Sequence, residues 1–522
     1  MDLPTVRHRI VIIGAGFAGL GLGARLRDAG IEDFVLLERG DEVGGTWRDN
    51  RYPGCQCDVA SDLYSFSFAP NPDWSRTYST QPEIQAYLRR CADDFGLRPH
   101  LRLRHTVVEA AWDADAALWR IATDQGPYEA EVLVSAHGGL SEPAYPDIDG
   151  LDTFEGTTLH SAAWPKDSGD ADGAGAGAGP DLTGRVAVIG TGASAVQIVP
   201  HLQRTAAHLS VFQRTPGWVV PHTDRAVHPW ERRLYRGFPL AQKLRRARIY
   251  LMNELLVFGM AKNPRLLRPI QRLATAHLRQ QVADPELRRR LTPRFAPGCK
   301  RLLRSNEFYP ALTADNVDLV TDPIVEVTPR GIVTADGVKR EVDTLVFATG
   351  FRITDAPMAA RVRGADGCTL AEAWGDTGPR AYLGTTVPGF PNLFLLSGPN
   401  TGIGHTSLVY MIESQLPYVL GAVRHLEATG AAAVDLRPEI ADRWDDELQA
   451  KLAPSVWNSG GCSSWYLHEN GRNPTLWPDF PFRFRRLTRR FDAEHYRTLP
   501  FPAPTPAVTA PALGTTSAGA PA

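Results

Sequence analysis

Two short apolar runs, each ending in a glycine-rich turn, predict an α/β chain with two Rossmann-like dinucleotide-binding domains and a helical insertion. The first turn reads G-A-G-F-A-G, Gly14 to Gly19, and the second G-T-G-A-S-A, Gly190 to Ala195. The third observation is the texture of 224–319, which is rich in arginine and helical in period. A chain of 522 residues can hold two or three such units. The expected division is one dinucleotide domain from 1–150 and 382–500, a second from 151–223 and 320–381, and a helical subdomain over 224–319.

Composition narrows the class. A hydrophobic fraction of 43% and a charged fraction of 22% are those of a soluble globular chain. A net charge of −2 argues against a nucleic-acid surface, which needs a basic excess. Met1–Arg9 is polar and the apolar run after it feeds a glycine turn, so no secretory start and no transmembrane segment are read, and a cytoplasmic location is expected. Six cysteines without framework spacing are expected to be reduced thiols, and no metal site is expected. Cys55 and Cys57 are too close together for the usual redox or zinc patterns.

In chain order, Arg9–Ile13 is the first strand. Gly14 permits a tight turn, Gly16 lets backbone N–H groups approach a pyrophosphate, and Gly19 lets the following helix pack close to its strand. That helix, read over Leu20–Ala29, turns the positive end of its dipole toward the phosphates. A second strand, Phe34–Leu37, ends at Glu38, whose carboxylate can accept the ribose hydroxyls and repels a 2′-phosphate, which suits the adenosine of FAD or NAD. Alternating runs such as Thr106–Ala110 and Trp119–Thr123 predict a small antiparallel sheet. The tract Ser168–Pro180 is read as a flexible surface insertion at 168–180.

Val186–Ile189 is the next buried strand, and its turn brings Gly190, Thr191, Gly192, Ser194 and Ala195, with alanine in the third glycine position. The strand Leu209–Phe212 then delivers Arg214 and Thr215 where the first domain has its glutamate. A guanidinium there can grip a 2′-phosphate, which points to NADPH, although an exposed arginine in a surface ion pair is the rival reading. Beyond it, Leu240, Leu244, Ala247, Leu251, Leu255 and Phe258 recur three or four apart and predict one apolar helical stripe, expected to be buried. Ile249–Ala261 is too short to span a bilayer. A helical subdomain over the active site is the preferred reading, and peripheral membrane contact the alternative. Leu393–Leu396 is read as a strand, Leu408–Glu427 as a helix, and 501–522 as a disordered tail.

Between the two turns stands F-E-G-T-T-L-H-S-A-A-W-P, Phe154 to Pro165, which fits neither helical nor strand periodicity and reads as a linker with unusually specific side chains. Its order Phe154, Gly156, His160, Trp164, Pro165 resembles the fingerprint of the Baeyer-Villiger monooxygenases, flavin enzymes that insert an oxygen atom next to a carbonyl. G-G-T-W-R-D-N-R-Y-P-G-C-Q-C-D, Gly44 to Asp58, resembles a second motif of that family, and Lys300–Arg301 its K-R pair. The resemblance implies FAD at the first turn and NADPH at the second. It implies that Gly45, Thr46, Trp47 and Tyr64 contact the flavin and that Gln56, Cys57 and Asp58 lie where flavin and nicotinamide meet. By the same resemblance Lys300 reaches the NADPH phosphate, and Arg301 points into the site near Asp58 as the catalytic pair. The family usually has threonine where His137 stands. The segment Trp457–His468 resembles a loop that approaches the cavity in part of the family, and Trp465 is read there as either packing or a ligand contact.

The implied reaction takes a ketone or aldehyde, dioxygen and NADPH to an ester or lactone through a flavin peroxide, with the cofactor supplying the hard chemistry. A flavin monooxygenase oxidising nitrogen or sulfur is the nearest alternative. A flavin disulfide reductase would need a redox cysteine pair, which Cys55 and Cys57 supply poorly. A non-catalytic flavin-binding redox sensor is disfavoured by the intact second nucleotide turn.

Overall fold

The computed structural model describes residues 4–165, 180–355 and 357–502. The insertion expected at 168–180 and the tail expected at 501–522 lie outside them, apart from Pro180, Phe501 and Pro502.

The first sheet is built around Val6–Ile13. Phe34–Glu38 lies parallel to it on one side, followed by Leu101–Leu103, and Gly126–Ser135 lies parallel on the other. That last strand is paired along both its ends. Its C-terminal residues Leu133–Ser135 pair with Leu393–Leu395, and its earlier residues pair antiparallel with Leu118–Thr123, which pairs in turn with Val107–Asp113. Ile10–Ile13 and Phe34–Leu37 are apolar at every position because both faces of a parallel sheet are covered. One cover is the helix Phe17–Asp28 packed against the long helix Leu408–Thr429.

The second sheet is wholly parallel, in the order Val317–Val320, His208–Phe212, Arg185–Ile189, Thr344–Phe347, Thr157–His160. Three expectations change here. The middle of the fingerprint is an edge strand rather than a linker: a four-residue strand is too short to show alternation, and its conformation is imposed by pairing with Thr344–Phe347. Val317–Val320 falls inside the stretch read as helical subdomain, so the second domain resumes before 320. Val362–Arg363 pairs with Val107–Asp113, so the chain is back in the first sheet before 382.

The insertion is helical, with Pro229–Gly237, Pro239–Glu254, Arg268–Gln281 and Pro285–Leu291 as its main elements. Its apolar stripe is not buried. Leu240, Leu244, Leu251, Leu255 and Phe258 are all exposed, because the opposite, polar face of the helix is the one that meets the protein. A further correction concerns the cysteines: Cys299 and Cys462 form a disulfide across 163 residues. Spacing could not show it, since the two meet only when the loop after Trp457 folds back over the Lys300 loop. Among the described residues no helix is long and apolar enough to cross a membrane.

Candidate active site

At the first turn, Gly14 has φ +102°, and a Cβ there would stand 2.8 Å from the Ala136 carbonyl oxygen. A Cβ on Gly19 would lie 1.9 Å from the Gly14 carbonyl oxygen, so helix and strand touch backbone to backbone. Gly16 is different. The nearest atom to its missing Cβ is the Gly45 Cα at 3.8 Å, which leaves an open cradle between two glycine backbones at the start of Phe17–Asp28. Such a cradle at a helix N-terminus fits a pyrophosphate.

Glu38 ends its strand buried. Its Oε2 accepts from the Ala15 N–H at 2.9 Å, and its Oε1 accepts from the Gly40 N–H at 2.7 Å and from Arg48 at 2.5 Å. The Arg48 partner is not legible in the sequence. Three of roughly four acceptor positions on the carboxylate are thus occupied, leaving capacity for one further donor. Thr46 opens the short helix Thr46–Asp49, the Trp47 indole donates to the Tyr64 hydroxyl at 3.1 Å, and the Tyr64 ring meets Phe17 edge-on at 5.2 Å. These residues therefore wall the space beside the first turn. His137 lies behind it, its Nδ1 2.8 Å from the Ser135 hydroxyl, and burial pushes its imidazole down to about 4.

The second turn repeats the logic. Gly190 has φ +113°, and a Cβ there would stand 2.6 Å from the Ala348 carbonyl oxygen; Gly192 faces open space, and Ala195 is fully buried in the third place. Ser194 precedes the helix Ala195–Thr205, and the Thr191 hydroxyl donates to the Thr215 carbonyl at 3.3 Å. Arg214 is exposed and Lys300 half-buried. Burial and then the nearby Arg214 charge push the Lys300 ammonium down. Among the described residues neither cation pairs with a carboxylate, and two close unpaired cations suit a bound dianion. Arg214 and Thr215 line a cleft of about 1060 Å³ shared with Arg290, Arg294 and Cys462.

Arg301 and Asp58 meet between the two turns. The Arg301 Nη2 donates to Asp58 Oδ1 at 2.6 Å and its Nε to Oδ2, a planar two-point contact, while Nη1 reaches the Ile403 carbonyl at 3.5 Å. Burial alone would raise the Asp58 carboxyl, but the guanidinium outweighs it and holds the group below its ordinary range. For Arg301 burial works against the charge and Asp58 again prevails. Side groups of the loop around Gly404 and of the Trp457–His468 segment complete the wall. Among the described residues neither ring nitrogen of His405 has a hydrogen-bond partner, and burial with the Arg301 charge pushes this imidazole down to about 4. The buried Trp457 indole N–H is likewise unmatched, and burial pushes the Tyr466 phenol up to about 12. Buried polar groups are normally satisfied, so the His405 nitrogens and the Trp457 indole N–H fit a site completed by a bound polar group. The resemblance of Trp457–His468 to a cavity loop signals Trp457 and Tyr466 in the sequence, whereas His405 has no signal beyond its place at the end of a glycine-rich stretch. Trp465 is half exposed and packs edge-on against Tyr466.

Gln56 lies between the two domains. Its side chain donates to the Tyr78 carbonyl at 2.7 Å and to Asp224 at 2.9 Å, while its backbone is bonded both ways to Gln197 on the second domain's helix. It ties one domain to the other. Cys55 and Cys57 are buried and unbridged, burial pushing the first thiol up to about 12 and the second well up.

The fingerprint residues also sit at the seam between domains. The two connecting segments run antiparallel there, with Ala144 N–H donating to Gly350 at 2.9 Å and Thr349 Oγ1 to Ala144 at 2.5 Å. His160, 1% exposed, ends the edge strand against both: its Nδ1 accepts from the Ala162 N–H at 3.0 Å and its Nε2 lies 3.4 Å from Thr349 Oγ1. Gly156 is required because a Cβ would stand 2.4 Å from the Asp343 carbonyl. Phe154 packs on the second sheet, Trp164 is buried, Pro165 follows it, and Ser161–Ala163 lies against Thr46–Asp49.

Comparison with known proteins agrees with this geometry. Residues 11–238 match a family model described as pyridine nucleotide-disulphide oxidoreductase. A Baeyer-Villiger monooxygenase of Streptomyces coelicolor is 50% identical over 95% of this chain and 93% of its own length. The closed crystal structure of cyclohexanone monooxygenase superposes with a TM-score of 0.83 at 31% identity, covering 95% of this chain and 99% of that one. OTEMO in complex with FAD and NADP superposes at 0.81 and 29% identity, covering 93% and 97%. With half its residues shared along nearly its whole length, and with both glycine turns and the Arg301–Asp58 contact in place, the chain belongs to the Baeyer-Villiger monooxygenases.

Proposed function

We propose that the Gly14 turn holds FAD, that the Gly190 turn holds NADPH, and that the protein converts a ketone or aldehyde with dioxygen into an ester or lactone. The observation that carries this assignment is the two-point Arg301–Asp58 contact standing between two open glycine cradles. When bound, the cofactors supply hydride transfer and the activation of dioxygen. The chain's own residues bind, orient and hold charge. Gly16 and Gly45 leave room for the pyrophosphate, and Arg214 with Lys300 supplies paired cations for a 2′-phosphate. Arg301 holds a fixed positive charge where negative charge develops on the substrate oxygen, and Asp58 keeps the guanidinium from swinging to solvent. His405, held neutral, offers one donor and one acceptor to whatever lies against Arg301.

A disulfide reductase is disfavoured by the buried, unbridged Cys55 and Cys57, whose thiols burial keeps protonated. Heteroatom oxidation is the reading that remains to be separated by product. Oxygen uptake with NADPH is measured first, followed by product mass and connectivity on a panel of ketones, thioethers and amines. Esters or lactones are expected. Sulfoxides or N-oxides with no ester from any ketone would overturn the carbonyl assignment.

A further inference from the structure

The helix Pro239–Glu254 is inside out. Its polar face meets the protein: Gln242 donates to Asp62 at 3.1 Å and to the Asn71 carbonyl at 2.7 Å, Arg245 pairs with Asp62 and Glu231, and Arg246 donates to the Asp62 and Ser65 carbonyls at 2.7 and 2.9 Å. Its apolar face meets solvent. Leu244 and Leu251 are 62% exposed and Leu255 60%, on a helix about 24 Å long. Phe238 before the helix and Phe258 and Leu266 after it are exposed as well, and the Phe258 ring leads through Phe480 to exposed Phe482, whose N–H donates to Glu254. Monomeric soluble proteins rarely leave so continuous an apolar face uncovered.

The charges around this face say what covers it. Residues 229–273 contain 11 Lys and Arg against two acidic residues, in a chain whose net charge is −2. Both acids, Glu231 and Glu254, are buried. Lys243, Arg248, Arg265, Arg268 and Arg272 are exposed, and none of them pairs with a carboxylate among the described residues. A second copy of the chain seated on this face by a two-fold axis would bring these like charges together. The chain after Pro502 contains no acidic side chain to complement them. An apolar stripe bordered by unpaired cations instead matches an anionic lipid surface, into which leucine and phenylalanine sink while the cations meet the headgroups.

We propose that the 238–266 face docks the protein onto an anionic lipid bilayer as a peripheral, non-spanning contact. The docking helix shares a wall with the Arg301 site, since Tyr250 stacks on Tyr410 at 4.7 Å and Asn253 lies 3.5 Å from Thr406, in the loop that also accepts from Arg301. Docking therefore brings that loop close to the lipid.

The test is flotation of the full flavin-loaded chain with vesicles of phosphatidylcholine alone and of phosphatidylcholine with phosphatidylglycerol in equal parts. Flotation with the anionic vesicles is expected and weakens with salt, since each basic side chain near such a surface strengthens binding about fivefold. Leu244→Asp with Leu251→Asp changes only exposed positions and is expected to lower partitioning at least about tenfold, leaving turnover in solution unchanged. Lys243→Glu with Arg248→Glu is expected to remove the preference for the anionic vesicles and serves if the first variant misfolds. Failure of the native protein to float with anionic vesicles at low salt overturns the proposal, as does undiminished flotation of both variants. Sedimentation showing a dimer that the leucine variant dissociates, without any flotation, assigns the face to a second copy instead.

Discussion

Gly16→Val separates a glycine needed for binding from one needed for folding. Gly16 has φ −84° and ψ −162°, an extended conformation open to any residue, and its added Cβ would have only the Gly45 Cα at 3.8 Å. The ligand-free protein should therefore lose less than about 1 kcal/mol of stability. The isopropyl group, however, fills the cradle and holds the phosphates off the backbone N–H groups. Hydrogen bonds to a charged partner are worth about 1.5 to 3 kcal/mol each, so losing two weakens flavin binding by roughly a hundredfold to ten-thousandfold. Gly19→Ala is the contrast. Its Cβ meets the Gly14 carbonyl oxygen at 1.9 Å, so helix and strand must part, at a cost of about 3 kcal/mol or more. The assay pairs flavin absorbance per protein chain with thermal unfolding of the flavin-free forms. Gly16→Val should be colourless yet melt near the wild type, and Gly19→Ala should melt early. A yellow Gly16→Val protein at full occupancy would refute the cradle, and early melting of Gly16→Val would show that the gap is packed rather than open.

Arg214→Ala should raise the Michaelis constant for NADPH about ten- to a hundredfold and that for NADH little; equal losses would show that Arg214 does not read the 2′-phosphate. Arg301→Ala should keep its flavin and its reduction by NADPH while ester formation falls by about a thousandfold or more, with partial recovery at best in Arg301→Lys, which keeps the charge but not the planar fork; a near-normal ester yield in the alanine variant would count decisively against the role. Cys462→Ser opens a loop of 163 residues and should lower stability by up to about 5 kcal/mol on the chain-entropy account, read as a lower melting temperature that reductant no longer changes. His137 and His405 both titrate near 4 when folded and near the ordinary 6.5 when unfolded, so the unfolded chain binds more protons between those values. Stability should accordingly fall as pH drops from about 6.5 to 4 and level off below, and His137→Thr should flatten part of that slope; an unchanged profile would show that the group is not held neutral by burial.

The parts legible in the sequence are those whose physics is local. Gly14 and Gly190 announce turns because φ near +100° is open to glycine alone, and Gly19 announces close packing because its Cβ would strike its own turn. Glu38 and Arg214 are placed by strand length, and the strands around them by unbroken apolar runs. Tertiary structure decided what depends on partners distant in the chain. Thr157–His160 is a strand only because Thr344–Phe347 offers it an edge, and Cys299 is bridged only because the loop after Trp457 returns to it. Arg48 meets Glu38 because a short helix folds back beneath the first turn. The stripe on Pro239–Glu254 shows the limit most plainly: periodicity of three and four residues establishes that a helix has two faces, whereas which face is buried depends on what it packs against, and Asp62, Glu231 and the Ser65 carbonyl selected the polar one.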